Sequence, residues 1–219
     1  MPFTTDSRPR PTAVAARPPL QGRSLGVVGA LALAAGVVAV VTATQLWDYD
    51  VHDLHVRVLD SASRRSYTHA LSTLAFLAAA AAGALALWRG VRERRGSWHA
   101  ATWLFAFLLV DNVTRIHEHV PHWPVVYLPI LLAVSAALLV LSAGSDQQRL
   151  VVVGLGLLMS SLVIHVVGPS AIDALGWSPL SWQYQVKVAL KEGLELAGWV
   201  VMVPVLLRLA TGATAPRRA

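Results

Sequence analysis

The stretch LGVVGALALAAGVVAVVTATQL, from Leu25 to Leu46, carries no charged residue. A helix needs about 20 predominantly apolar residues to cross a bilayer, and this stretch is long enough to do so. It is also longer than the apolar core of a signal peptide, so we expect it to be retained as a first helix. Three more uncharged stretches follow, over residues 66–88, 123–144 and 150–168. Their repetition decides the fold class in favour of a helical membrane protein.

The composition supports the same interpretation. Of the 219 residues, 55% are hydrophobic and 14% are charged, whereas about 25% are charged in an average soluble domain. The chain has no cysteine, which excludes disulfides, thiolate catalysis and cysteine-based zinc or iron–sulfur sites. The net charge of +6 comes from arginines between apolar runs without an aromatic-interleaved basic patch, so we predict a lipid bilayer and no nucleic acid as partner.

Two further segments, residues 98–120 and 184–210, are long enough to span but carry ionisable residues in one half. Together with the four uncharged stretches they predict an all-α polytopic membrane protein with six transmembrane helices within residues 24–210. Residues 1–23 are rich in proline and arginine and predict a disordered basic tail. Residues 211–219 form a second short tail.

The arginines predict the orientation, because Lys and Arg accumulate in short cytoplasmic loops. Twelve arginines fall on the side that includes both tails, whereas the remaining loops hold three, Arg57, Arg64 and Arg65. We therefore expect both termini to be cytoplasmic, in the plasma membrane. The same assignment places the histidine-rich loops at the outer surface.

Ionisable residues of the third helix follow one face. Asp111, Arg115 and Glu118 lie at i, i+4 and i+7, so they form a stripe on a regular helix, and His117 points away from it. Two interpretations stay open for this trio. It is either an ion-pair set satisfied within itself or part of a ligand site.

The sixth helix carries the only two lysines of the chain, Lys187 and Lys191, together with Glu192 and Glu195. Lys191 and Glu195 form an i, i+4 pair, which leaves Lys187 and Glu192 without a local partner. Charged residues inside a span are costly and face protein or water. These four residues therefore predict a polar arc that faces the bundle interior.

Single histidines on two other helices complete the pattern, His69 on the second and His165 on the fifth. We therefore expect helices two, three, five and six to surround a polar cavity, with helices one and four toward lipid. The cavity opens outward, with carboxylates at its floor and imidazoles at its rim.

Two motifs resemble a known group. The segments DNVTRIHE, from Asp111 to Glu118, and KEGLELAG, from Lys191 to Gly198, are similar to motifs of a loose group of uncharacterised bacterial six-helix membrane proteins. In that group the third helix carries an acidic pair followed by His-Glu, and the last helix carries Glu-Glu or Lys-Glu leading into Gly. Here Asn112 replaces the second acid, and His165 stands where the resemblance implies a carboxylate. The resemblance implies the six-helix fold and no particular activity.

Three functions remain open from the sequence. The first is binding of a divalent metal ion or a small polar ligand in the outward cavity, with a metal-dependent enzyme as one form of it. The second is a proton- or cation-coupled transporter, and the third is a structural or assembly role. For the first function, the expected metal ligands are His69, His165, Asp111 and Glu192. The expected acid–base groups are Asp111, Glu192 and Glu195. The expected ligand contacts are Arg115, Glu118, Lys187 and Lys191.

Overall fold

The computed structural model describes residues 26–51, 56, 58–61, 63, 65–92, 94–178 and 181–212, and within them all regular secondary structure is helical. The predicted tails lie outside these residues, apart from Thr211 and Gly212. Six long helices follow one another: α1 (Val27–Leu46), α2 (Tyr67–Trp88), α3 (Arg95–Thr114), α4 (Trp123–Ser142), α5 (Gln148–Ala174) and α6 (Trp182–Thr211). A π-helical turn, Trp47–Val51, continues α1, and a 3₁₀ turn, Ile116–His119, follows α3.

By length and composition, five of these helices could cross a membrane, namely α1, α2, α4, α5 and α6. The all-α prediction is therefore confirmed. The sixth predicted span, α3, is not among the five. At 20 residues it is about 30 Å long, which is sufficient, but it carries Arg95, His99 and Asp111 within that length.

Two helices end six residues away from the predicted position. We expected the fifth helix to end at Gly168, but α5 continues through Pro169 to Ala174. The third helix was predicted to continue to Val120, yet α3 ends at Thr114, because the backbone of Arg115 turns into the left-handed region at φ 55°. The chain direction therefore changes just after the Asp111 turn.

The helices form a ring of five with one helix outside it. α2, α3, α4, α5 and α6 surround a cavity, and α6 also packs against α1, which lies behind it. The prediction that α1 takes no part in the cavity is thus confirmed, whereas the same prediction for α4 is wrong. α4 presents Tyr127 to the cavity, although Val125 and Leu132 on the same helix are exposed.

The apolar core occupies the end of the bundle away from the 3₁₀ turn. Val201, Met202, Val205 and Leu206 on α6 are almost completely buried there. Two glycines allow close approach of α5 and α6, because a Cβ added to Gly154 would meet Met202 at 2.5 Å and one added to Gly198 would meet Leu158 at 2.7 Å. Small residues of this kind let helix backbones pack closely in a membrane setting.

Polar contacts tie the other end together. The side-chain Nε2 of Gln45 on α1 donates a hydrogen bond to Oε1 of Gln185 on α6 at 2.8 Å. The side-chain Oε1 of Gln45 accepts hydrogen bonds from the backbone N–H and the hydroxyl of Ser61 at 2.7 and 2.6 Å. All three residues are buried. This network joins α1, α6 and the loop that precedes α2, so it fixes the beginning of α6 beside the cavity.

Candidate functional site

The cavity has a volume of about 410 Å³, which is within the usual range for small-molecule sites. Its ionisable lining comes from α2, α3, α5 and α6 and from the 3₁₀ turn, while α4 adds Trp123 and Tyr127. Apolar side chains, among them Phe76, Leu108 and Leu155, also line the cavity. Of the nine residues that the sequence singled out, eight line this one cavity: His69, Asp111, Arg115, His165, Lys187, Lys191, Glu192 and Glu195.

The ninth residue, Glu118, belongs to the 3₁₀ turn, but its side chain lies outside the described part of the structure. Its predicted role in ligand binding therefore stays a prediction.

Asp111 makes more hydrogen bonds than any other described carboxylate of the cavity. Its Oδ1 accepts hydrogen bonds from the backbone N–H of His117 at 2.9 Å and from the Tyr127 hydroxyl at 2.8 Å, and its Oδ2 lies 2.8 Å from His117 Nδ1. The expectation that His117 points away from Asp111 is therefore wrong. It assumed a regular helix, whereas the left-handed turn at Arg115 swings His117 back over the end of α3.

That turn is strained, because a left-handed conformation is uncommon for residues other than glycine and costs of order 1–3 kcal/mol. Arg115 adopts it at φ 55°. The hydrogen bonds to Asp111 offset the cost, and the short aspartate side chain captures a backbone N–H that a continuing helix would have used. Asp111 thus acts first as the residue that shapes this end of the cavity.

The charges of α6 pair differently from the prediction. Lys191 Nζ lies 2.8 Å from Glu192 Oε1 and 3.5 Å from Glu195 Oε2. Glu192 is therefore not left over, since it is the closer partner of Lys191. The contact with Glu192 is a short hydrogen bond, whereas the contact with Glu195 is longer and therefore weaker. The carboxylate with spare hydrogen-bonding capacity is that of Glu195.

Lys187 differs from Lys191 because no carboxylate among the described residues pairs with it. Its ammonium lies 5.5 Å from the ring centroid of Tyr184. The stem of the side chain lies against α5 at Gly168, where a Cβ would come within 2.5 Å of Lys187 Cε. The glycine therefore gives the lysine the space it needs beside α5.

Histidines and tryptophan form an aromatic row beside this lysine. The rings of His117 and Trp123 are 5.2 Å apart, and those of Trp123 and His165 are 5.1 Å apart. The His165 ring makes no hydrogen bond to any described residue. Its nitrogens are therefore available to a ligand. His69 has polar partners and contributes its backbone carbonyl to Thr73.

The geometry gives no metal centre among the described residues, where no three His, Asp or Glu side chains stand close enough to hold one ion. His69, Asp111, His165 and Glu192, the predicted metal ligands, line the same cavity without forming a coordination shell. Two of them are already engaged, since Asp111 bonds to His117 and Tyr127 and Glu192 bonds to Lys191.

Among the cavity residues that the sequence did not identify as site residues are His117, Trp123 and Tyr127. The signal that could have found His117 is Pro121, four residues later, because proline opposes continuation of the helix on which its predicted direction rested. Tyr127 gave no such signal, since one polar group on an apolar helix is common.

Fold and site together define a class: an all-helical bundle, most of whose helices are apolar enough to cross a membrane, with an ionisable cavity inside it. The chain belongs to the family described as Domain of unknown function (DUF8692), whose model matches residues 27–209. No curated protein and no solved structure matches the chain.

Proposed function

We propose that this chain is an integral membrane protein with six spans that binds a small polar ligand in its cavity, on the side of the plasma membrane away from the cytosol. The observation that carries the proposal is the convergence of ionisable side chains from α2, α3, α5 and α6 on one space of about 410 Å³. Burying such groups is costly unless they have partners. A ligand that supplies those partners explains why the chain keeps them.

Native mass spectrometry of the purified protein tests the binding. We expect a bound small molecule with the wild-type chain and its loss in Ser135→Trp, because Ser135 lines the cavity and an indole there fills it. Ser160→Trp is the matched control. Ser160 also donates its hydroxyl to the carbonyl four residues earlier, but it is exposed outside the cavity. Equal occupancy in the two variants, or no bound species in the wild type, contradicts the proposal.

The topology is tested by cysteine labelling, since the natural chain has no cysteine and gives no background. Leu175→Cys follows α5 and Asp146→Cys precedes it, so the two positions lie at opposite ends of that helix. We expect an impermeant maleimide to label the first in intact cells and the second only after lysis. The reverse pattern overturns the proposed orientation.

One observation favours a second function, general acid–base chemistry on the bound ligand. An ionised carboxylate can only accept hydrogen bonds, so Asp111 fixes the Nδ1–H tautomer of His117 and leaves Nε2 to exchange a proton. Tyr127 holds the same carboxylate in place. This pairing orients an imidazole as a carboxylate does in many catalytic dyads.

The tautomer is measurable without knowing the reaction. In ¹⁵N spectra of histidine-labelled protein, the neutral ring of His117 should be protonated at Nδ1. Asp111→Asn should shift the population toward Nε2–H, whereas Asp146→Asn, at the opposite end of the bundle, should leave it unchanged. An Nε2–H tautomer in the wild type rules out this role.

A further inference from the structure

The charges of the cavity are separated along α6. At one position stands Lys187, a cation that has no carboxylate partner among the described residues. Deeper along the same helix, one cation, Lys191, is shared by two carboxylates, and Glu195 is the more distant of them at 3.5 Å. The helix thus presents one positive charge and, farther in, one carboxylate in excess.

The two charges are set at a definite spacing. Lys187 and Glu195 are eight residues apart, which is about 12 Å along the helix axis at 1.5 Å per residue. Both line the same cavity, and so does Glu192, between them. A ligand molecule of ordinary size can reach both ends of this separation.

The remaining charged groups around the cavity do not remove the separation. Asp111 is taken up by hydrogen bonds from His117 and Tyr127. Arg115, in the turn after α3, lies close enough to Glu192 to act on it electrostatically, and Glu192 is the carboxylate already bonded to Lys191. Apolar residues, Leu108 and Leu155 among them, also line the cavity. Among the described residues, no ion pair from another helix reaches Lys187 or Glu195.

We infer that the ligand is a zwitterion, with a carboxylate or phosphate bound at Lys187 and an ammonium bound at Glu195. The inference rests on the proposed function and specifies its ligand. An anion alone would leave Glu192 and Glu195 sharing the single charge of Lys191, and a cation alone would leave Lys187 without a carboxylate partner. Charge complementarity in a site of low polarity gives specificity, because a buried unpaired charge is costly.

The neighbouring side chains fit the same assignment. His165 lies on α5 one turn before Gly168, against which Lys187 packs, and its ring nitrogens have no described hydrogen-bond partner. An N–H-bearing ring nitrogen suits an anion. Trp199 lines the cavity one turn beyond Glu195 and is held edge-on against Phe76 at 4.6 Å. Tryptophan is the best aromatic platform for an ammonium group.

The test uses probes that differ only in charge. Isothermal titration of the purified full-length protein compares 6-aminohexanoate with hexanoate and with hexylamine. We expect the zwitterion to bind at least tenfold more tightly than either singly charged probe. Dihexanoylphosphatidylcholine, added in a separate titration, distinguishes a lipid headgroup from a soluble zwitterion as the source of the same chemistry, and tight binding of either zwitterion supports the inference.

Two variants assign the ends. Lys187→Gln should remove the affinity that the carboxylate of the probe contributes, so that 6-aminohexanoate binds no more tightly than hexylamine. Glu195→Gln should remove the affinity that the ammonium of the probe contributes, so that 6-aminohexanoate binds no more tightly than hexanoate. Glu195→Asp should restore part of that affinity. Arg89→Gln and Asp146→Asn change exposed charges outside the cavity and should have no effect. Melting curves of the unliganded variants establish that each is folded.

The outcomes separate the two proposals. Binding of hexanoate or hexylamine as tight as that of the zwitterions overturns the inference and leaves ligand binding in the cavity standing. Loss of zwitterion binding in the exposed-charge controls as well as in the cavity variants also overturns it. Failure of all four probes to bind the wild type, together with no co-purified ligand by mass spectrometry, overturns both.

Discussion

The two halves of α6 differ in their surroundings, and the difference separates the two ends of the bundle. From Gly198 to Ala210 one face of the helix packs into the apolar core, and Met202 and Leu206 are completely buried. From Tyr184 to Glu195 the same helix borders the cavity with two lysines and two glutamates. Close packing of apolar groups stabilises the first half, whereas the charges of the second half add cost unless they are paired. One half of α6 therefore stabilises the packed core, and the other half lines the cavity.

The largest effect should come from the packed half. Phe105 is 1% exposed and lies edge-on to Trp199, with the ring centroids 5.9 Å apart. Phe105→Ala should lower the free energy of unfolding by about 4 kcal/mol, because the vacated space cannot collapse in a close-packed core. Denaturation with SDS in mixed micelles measures the change. Trp103→Ala removes an aromatic ring from the same helix at a position that is 75% exposed, and it should cost much less.

A second substitution tests the α5–α6 contact. Gly154→Val should destabilise the protein by about 3 kcal/mol, since the added side chain overlaps Met202 and approaches the Gly198 carbonyl oxygen. Gly156→Val, two residues later, is the control, because nothing lies within 4 Å of a Cβ there. Equal unfolding curves for the two variants would show that α5 and α6 do not pack in this way.

The cavity half should respond less. Asp111→Asn should cost about 2 kcal/mol, because hydrogen bonds to a charged group contribute roughly 1.5–3 kcal/mol and the amide cannot accept from all three donors with the same strength. The same unfolding measurement applies. A loss as large as that of Phe105→Ala would mean that the cavity end is also part of the stabilising core.

The smallest effect is expected for Lys187→Gln. No described ion pair is broken by this change, so the free energy of unfolding should stay within about 0.5 kcal/mol of the wild type or rise slightly. Lys191→Gln is the informative counterpart, because it removes the partner of both Glu192 and Glu195, and it should be clearly less stable. A strongly destabilised Lys187→Gln would contradict the division between the halves.

The candidate site was largely predictable as a set of residues, but its pairings were not. Asp111, Lys187 and Glu195 can be identified from the sequence because a charged side chain within an apolar segment has a high free-energy cost in a membrane. Helical spacing then fails at two places. It places His117 on the wrong side, because the left-handed turn at Arg115 interrupts the spacing, and it pairs Lys191 with Glu195, although rotamers bring the adjacent Glu192 closer. The resemblance of the two motifs to a bacterial group stays a prediction.

The sequence by itself determined that this protein is a helical bundle whose helices are apolar enough to cross a membrane, with ionisable groups near one end. A run of about 20 apolar residues can satisfy all its backbone hydrogen bonds in lipid as a helix. Only the tertiary structure decided which of those groups meet. It brought α4 and Tyr127 into the cavity, joined Asp111 to His117, and left Lys187 without a described carboxylate partner. These contacts depend on where a helix ends and which helices are neighbours, and no local spacing encodes that.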